Sequence, residues 1–105
     1  MQVNFKRPFS RYVKKAPRPL QLAFEDVVEA ICSDPEMGEM KTGDLAGVWV
    51  YKFRFNRQEY LVAYRPPNRT QSVQANQVDF PGIDFYLVGS HENFYRTLKR
   101  YLREE

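Results

Sequence analysis

The chain is 105 residues long, with 16 Lys and Arg against 13 Asp and Glu, a formal net charge of +3 with the single His91 neutral. That length suits one domain over 1–105 and is too short for a multidomain enzyme. A 43% hydrophobic and 15% aromatic content argues against disorder, and no apolar run reaches the roughly 18 residues of a membrane span. No apolar signal-peptide core follows the basic N-terminal stretch, and the lone Cys32 excludes an internal disulfide framework and a Cys-rich zinc site. A reduced, cytoplasmic protein is the expectation.

Charge distribution says more than its total. Residues 1–24 carry Lys6, Arg7, Arg11, Lys14, Lys15 and Arg18 with no acid, whereas 25–44 carry seven acids against Lys41 alone. Residues 45–69 are basic again, as is the C-terminal stretch with Arg96, Lys99, Arg100 and Arg103. Without the acidic block the chain holds fifteen basic residues and six acids. A positive face so built attracts phosphate backbones or acidic partners.

In chain order, residues 2–6 alternate, with Val3 and Phe5 on one face, which predicts a short strand. Pro8 permits a helix start, and Phe9, Tyr12, Val13 and Ala16 recur at helical spacing. Pro17 and Pro19 end that helix and suit the first turn of a second. There Leu20, Phe24, Val27, Val28 and Ile31 form one apolar stripe, with Glu25, Asp26 and Glu29 outside, so a helical hairpin is expected. Asp34-Pro35 stops it and Gly38 supplies a turn.

A strand over 48–55 follows the turn region 43–47. Its period of two puts Trp49, Tyr51, Phe53 and Phe55 on one face and Val48, Val50, Lys52 and Arg54 on the other. A tight turn at 56–58 returns the chain as a strand over 60–65, stopped by Pro66-Pro67. The polar stretch 66–82 reads as a long loop with an irregular edge strand around 78–80. Residues 83–88 form a buried strand, and Ser90 is the expected N-cap of a last helix with the stripe Phe94, Tyr95, Leu98, Tyr101 and Leu102. The order β-α-α-β-β-β-α predicts an α+β fold: an N-terminal strand and helical hairpin on a small, mainly antiparallel sheet, with a C-terminal helix.

The chemistry-bearing residues are basic and aromatic. One His and one Cys, 59 residues apart, make no zinc set, and the chain has neither a Gly-rich phosphate loop nor a nucleophile elbow. Packing the aromatic row on the helices leaves Lys52 and Arg54 on an open sheet face, and strand parity adds Arg65, a set suited to phosphate. His91 and Tyr95, four residues apart on one helix face, could move protons in phosphodiester cleavage beside those cations. The plainer alternative makes Lys52, Arg54 and Arg65 ordinary surface charge, Tyr95 a core aromatic and His91 a solvated helix-start residue.

Asp34-Pro35-Glu36-Met37-Gly38, Leu45-Ala46-Gly47-Val48-Trp49, Tyr51-Lys52-Phe53-Arg54-Phe55 and the close Val88-Gly89-Ser90-His91-Glu92-Asn93-Phe94-Tyr95 together resemble the RelE/ParE toxin superfamily, in order and spacing across nearly the whole chain. The resemblance implies a type II toxin neutralised by a cognate antitoxin. Its RelE-like branch implies an endoribonuclease, an mRNA interferase that cuts mRNA on the ribosome and inhibits translation. The substrate 2′-hydroxyl is then the nucleophile, with no metal, no small-molecule cofactor and no membrane involved. Carried over position by position, Lys52 and Arg54 hold the phosphate, and His91 and Tyr95 exchange protons as base and acid. That branch often has an arginine where Leu61 stands and another where His91 stands; Arg65, of the same parity as Leu61, is the candidate substitute. Arg65, Arg57, Lys14, Lys15, Lys99 and Arg100 would contact RNA. The ParE-like branch implies gyrase inhibition instead, and a non-catalytic, antitoxin-binding member is the third reading.

Overall fold

The computed structural model describes residues 2–67 and 82–104. In order these form β1 (Gln2–Phe5), α1 (Arg7–Lys15), α2 (Arg18–Ser33), β2 (Glu39–Met40), a 3-10 turn (Gly43–Leu45), β3 (Trp49–Phe55), β4 (Gln58–Arg65), β5 (Gly82–Ser90) and α3 (Phe94–Glu104). One five-stranded sheet runs β1-β5-β4-β3-β2, with β1 parallel to β5 and the other pairs antiparallel. The expected α+β order holds, with one addition: the two-residue β2 on the edge of β3. The stretch 68–81, with the expected edge strand at 78–80, lies outside the described residues.

The β3–β4 hairpin closes on Asn56 and Arg57, both with positive φ (50° and 65°), the turn that matches strand twist. The register that follows sets Lys52 opposite Leu61 and Trp49 opposite Tyr64. Trp49, Tyr51, Phe53 and Phe55 then join Val62 and Tyr64 against Phe9, Leu20, Phe24 and Ile31 of the helical layer. Phe24 is central, meeting Phe53 and Tyr60 edge-on at 5.9 and 5.7 Å.

The opposite face is not wholly open. Val48, Val50, Leu61, Ala63 and Leu87 are covered by Phe94 and Leu98 of α3. Lys52 and Arg54, nearer the hairpin end, stay exposed. A register shift after Ala63 pairs Ala63 with Leu87 but Tyr64 with Phe85, so Tyr86 is the extra residue of a bulge. Tyr86 and Leu87 consequently both join the α3-side core.

Two glycines are explained by close approach. The fully buried Tyr64 donates its hydroxyl to the Pro35 carbonyl (2.6 Å) and accepts the Gly38 N–H (3.1 Å). A Cβ on Gly38 would lie 2.7 Å from that hydroxyl oxygen and 3.0 Å from the Val50 carbonyl. Gly38 is needed for space, where the sequence suggested only a turn. Gly47, at φ 90°, makes room for the Arg65 guanidinium, 2.6 Å from where its Cβ would be.

Burial pushes the Tyr64 phenol above the ordinary tyrosine range, against the opposing Gly38 hydrogen bond. Its neutral form is therefore favoured by folding, a contribution complete below the unfolded pKa and lost as pH rises through the folded one. Tyr64→Phe strands the Gly38 N–H and Pro35 carbonyl, and should cost about 1–3 kcal/mol in urea denaturation at neutral pH. The same variant should lose less stability than wild type on moving to strongly alkaline pH.

Candidate active site

Beside the N-terminal end of α3 the sheet face opens into a groove of about 460 Å³. Its walls include Gly38, Glu39 and Lys41, then Val50 and Lys52 of β3, Leu61 of β4, and His91 and Tyr95. Strand pairing places Glu39, Val50, Lys52 and Leu61. Lys52 lies opposite Leu61, and Leu61 opposite Gly89, so this row leads directly to the end of β5 and to His91. Glu39 pairs with Val50, and the Lys41 N–H bonds the Val48 carbonyl at 2.9 Å, which puts both side chains on the Lys52 side of the sheet.

His91 is not helical. Ser90 ends β5 rather than capping α3, and His91 starts a turn in which Asn93 has φ 63° and the Phe94 N–H reaches the His91 carbonyl at 3.3 Å. The β-pairing of Ser90 with Tyr60 outcompetes the cap that the sequence suggested. The expected neighbours nevertheless meet: the His91 and Tyr95 rings lie edge-on, centroids 6.4 Å apart. Tyr95 also packs edge-on against Phe94 (5.4 Å), so its ring belongs both to the core margin and to the groove.

Lys41 is the wall residue that sequence reasoning passed over. Its ammonium is 2.6 Å from a Glu39 carboxylate oxygen and 5.3 Å from the Tyr95 ring centroid. The hydrogen bond from Lys41, then its charge and more weakly that of Lys52, hold the Glu39 carboxyl below its usual range. The same hydrogen bond, with help from Tyr95 and against partial burial, raises Lys41. The available signal was a single cation two residues from an acid within an otherwise acidic block.

The other expected residues scatter. Arg54 shares the Lys52 face but lies opposite Glu59, farther toward the hairpin turn that holds Arg57. Arg65 is four residues along β4 from Leu61, roughly 13 Å at the rise of a strand. It donates from Nε to the Tyr86 hydroxyl (2.8 Å) and covers Gly47, so the structure does not bring it to Lys52. Lys14 and Lys15 are on α1, in the layer across the sheet from Lys99 and Arg100 on α3. Among the described residues, no three His, Cys, Asp or Glu side chains could hold a metal ion together, and no helix is long and apolar enough to cross a membrane.

A second groove, of about 800 Å³, lies in the helical layer. Phe5, Phe9, Phe24 and Val28 line it, with Arg7, Arg11 and Lys14 of α1 and Glu25 and Glu29 of α2 among its borders. Phe5 is 48% exposed there, high for a phenylalanine.

The family model of the ParE-like toxins of type II bacterial toxin–antitoxin systems matches residues 3–99. The chain belongs to this family. No curated protein and no solved structure matches it. The match spans every element that builds the groove, so the toxin carries its candidate site within the family's own fold.

The Glu39–Lys41 pair has a readable titration. A depressed carboxyl stabilises the fold above its unfolded pKa and loses that contribution as pH falls through the folded value; a raised lysine does so below its unfolded pKa and loses it as pH rises. In an NMR titration the Glu39 side-chain carbonyl of the toxin should turn over below the ordinary glutamate range, and Lys41→Met should return it toward that range.

Proposed function

We propose that this toxin is a metal-independent, ribosome-dependent mRNA endoribonuclease that inhibits translation in the cytoplasm. The observation that carries the reading is the groove itself, where Lys52 and Lys41 share walls with His91 and Tyr95. Cations grip the scissile phosphate and stabilise the charge that grows on its oxygens in the transition state. The two rings supply what remains, a proton acceptor and a proton donor within one small site. The substrate 2′-oxygen attacks phosphorus as one ring takes its proton, and the P–O5′ bond breaks as the other ring protonates the leaving oxygen. The products are a 2′,3′-cyclic phosphate and a free 5′-hydroxyl. Arg54 and Arg65 lie on the strands that carry the site, Arg57 in the turn between them, and Lys99 and Arg100 on α3; these exposed cations suit flanking ribosomal and messenger RNA. Lys14 and Lys15 sit across the sheet and fit RNA contact less well.

Gyrase inhibition is the second reading, favoured by the ParE-like description of the matching family. It needs no hydrolytic groove and would act through protein contacts. Mapping mRNA 5′ ends after induced expression separates the two. The nuclease cuts translated messages in a codon-linked pattern, whereas a gyrase poison damages DNA and leaves messages intact. Lys52→Ala with Arg54→Ala should lower cleavage by a factor on the order of 10² or more while the domain stays folded, because both side chains are exposed. Full cleavage by that double variant would remove the active-site assignment.

Membership of a toxin–antitoxin family implies a cognate antitoxin. The helical-layer groove, apolar within and bordered by Arg7, Arg11 and Lys14 of α1 on one side and by Glu25 and Glu29 of α2 on the other, suits an amphipathic segment whose acidic flank lies along α1. Arg11→Glu with Lys14→Glu should slow antitoxin association, by an amount that shrinks as salt rises, in stopped-flow or surface-binding kinetics.

A further inference from the structure

The groove holds a cation that is fixed and an anion that is not. In the Glu39–Lys41 pair the lysine side chain is 23% exposed and the glutamate 76%. Lys41 is anchored at both ends: its backbone N–H bonds the Val48 carbonyl, and its ammonium lies over the Tyr95 ring. Glu39 projects from the short edge strand β2, and Lys41 is the one side-chain partner its carboxylate has among the described hydrogen bonds and ion pairs. Exposed ion pairs of this kind are weak, so the carboxylate can leave at little cost. Leu61, in the middle of the row between Lys52 and Gly89, contributes no charge. Among the described residues, the positive charge on the groove's walls comes from its β2–β3 side, where Lys41 and Lys52 stand on the same face.

We propose that Glu39 is a resident counterion of the groove and that Lys41 is a further substrate-binding residue: an incoming RNA phosphodiester displaces the Glu39 carboxylate from Lys41 and is held between Lys41 and Lys52, beside Tyr95. This inference rests on the groove being the RNA site. A phosphodiester carries the same single charge as the carboxylate, and its two non-bridging oxygens can accept from two ammonium groups at once, where the carboxylate is bonded to one. The influence of Lys52 on Glu39 agrees with a carboxylate lying in the field of both lysines. Glu39 then acts as a competitor built into the site. It lowers affinity for stray anions and yields to a substrate that other contacts hold in place.

The test is binding of a 2′-O-methyl RNA trinucleotide, which cannot be cleaved through its 2′-oxygen, followed by NMR chemical-shift titration over a series of salt concentrations. Lys41→Met keeps the side-chain stem, and the same spectra report whether it is folded. It should weaken binding about tenfold, the loss of one charged hydrogen bond. It should also flatten the slope of log affinity against log salt by about 0.7, one phosphate contact on a single strand. Glu39→Gln should tighten binding several-fold, and that gain should largely vanish in the Lys41→Met background. Unchanged affinity and slope in folded Lys41→Met, or a Glu39→Gln gain that survives in full without Lys41, would overturn the proposal, as would absence of binding by the wild type. Ribosomal cleavage is scored separately. Binding effects as expected with no message cut by wild type would keep the anion site and reject the nuclease. Cleavage and binding both untouched by either substitution would keep the nuclease and reject the role of Lys41 and Glu39.

Discussion

The Tyr64 hydroxyl joins the two halves of the molecule. Its ring lies in the core beneath the helical layer, beside Phe85, while its oxygen bonds the Pro35 carbonyl and the Gly38 N–H just after α2. The chain leaving α2 is thereby pinned against the sheet one residue before β2 begins. Glu39 can then pair with Val50 and Lys41 with Val48, and the edge of the groove is set. Without side-chain bulk at Gly38 the contact closes; a methyl group there would hold the segment off the sheet. A core contact on one face thus determines where charged side chains stand on the other.

The sheet also divides the charge. Burying the aromatic row of β3 against α1 and α2 forces Lys52 and Arg54 to the opposite face, because side chains alternate. α3 covers part of that face and brings Tyr95 to its uncovered margin. The basic residues of α1 remain across the sheet. The small net charge of +3 therefore conceals two separate positive regions. One is a polar groove with proton-carrying rings, and the other the α1 side of an apolar groove whose α2 side is acidic, suited to different partners.

Cation placement in the groove is a matter of distance along strands as well as parity. Arg65 has the parity of Leu61 but lies at the other end of β4, where the bulge at Tyr86 supplies a phenol to bind it and Gly47 leaves it space. Lys41 reaches the groove because β2 extends the sheet beyond β3 on the same side. Leu61 then serves as the apolar floor between groups that carry charge.

Much of this was legible in the chain itself. The helix stripes, the alternation of β3 and its hairpin turn are local patterns, fixed by the periods of helix and strand and by the few residues that tolerate positive φ. They were enough to put Lys52 and Arg54 on one face; His91 does meet Tyr95, but from the turn before α3 and not through the helical spacing the sequence suggests. Three features depended on tertiary contacts. A two-residue strand has no periodicity, so β2 and the entry of Lys41 required the pairing with β3. Ser90 can cap a helix or end a strand, and its pairing with Tyr60 decided for the strand. Arg65 shares its parity with Leu61, yet only the register and bulge of β4 and β5 show which end of the groove it misses. Sequence by itself determined which way side chains face wherever the backbone period runs unbroken, as it does along β3 but not at the Tyr86 bulge. The folded structure decided which of those side chains meet, because that depends on strand register and on what packs across the sheet.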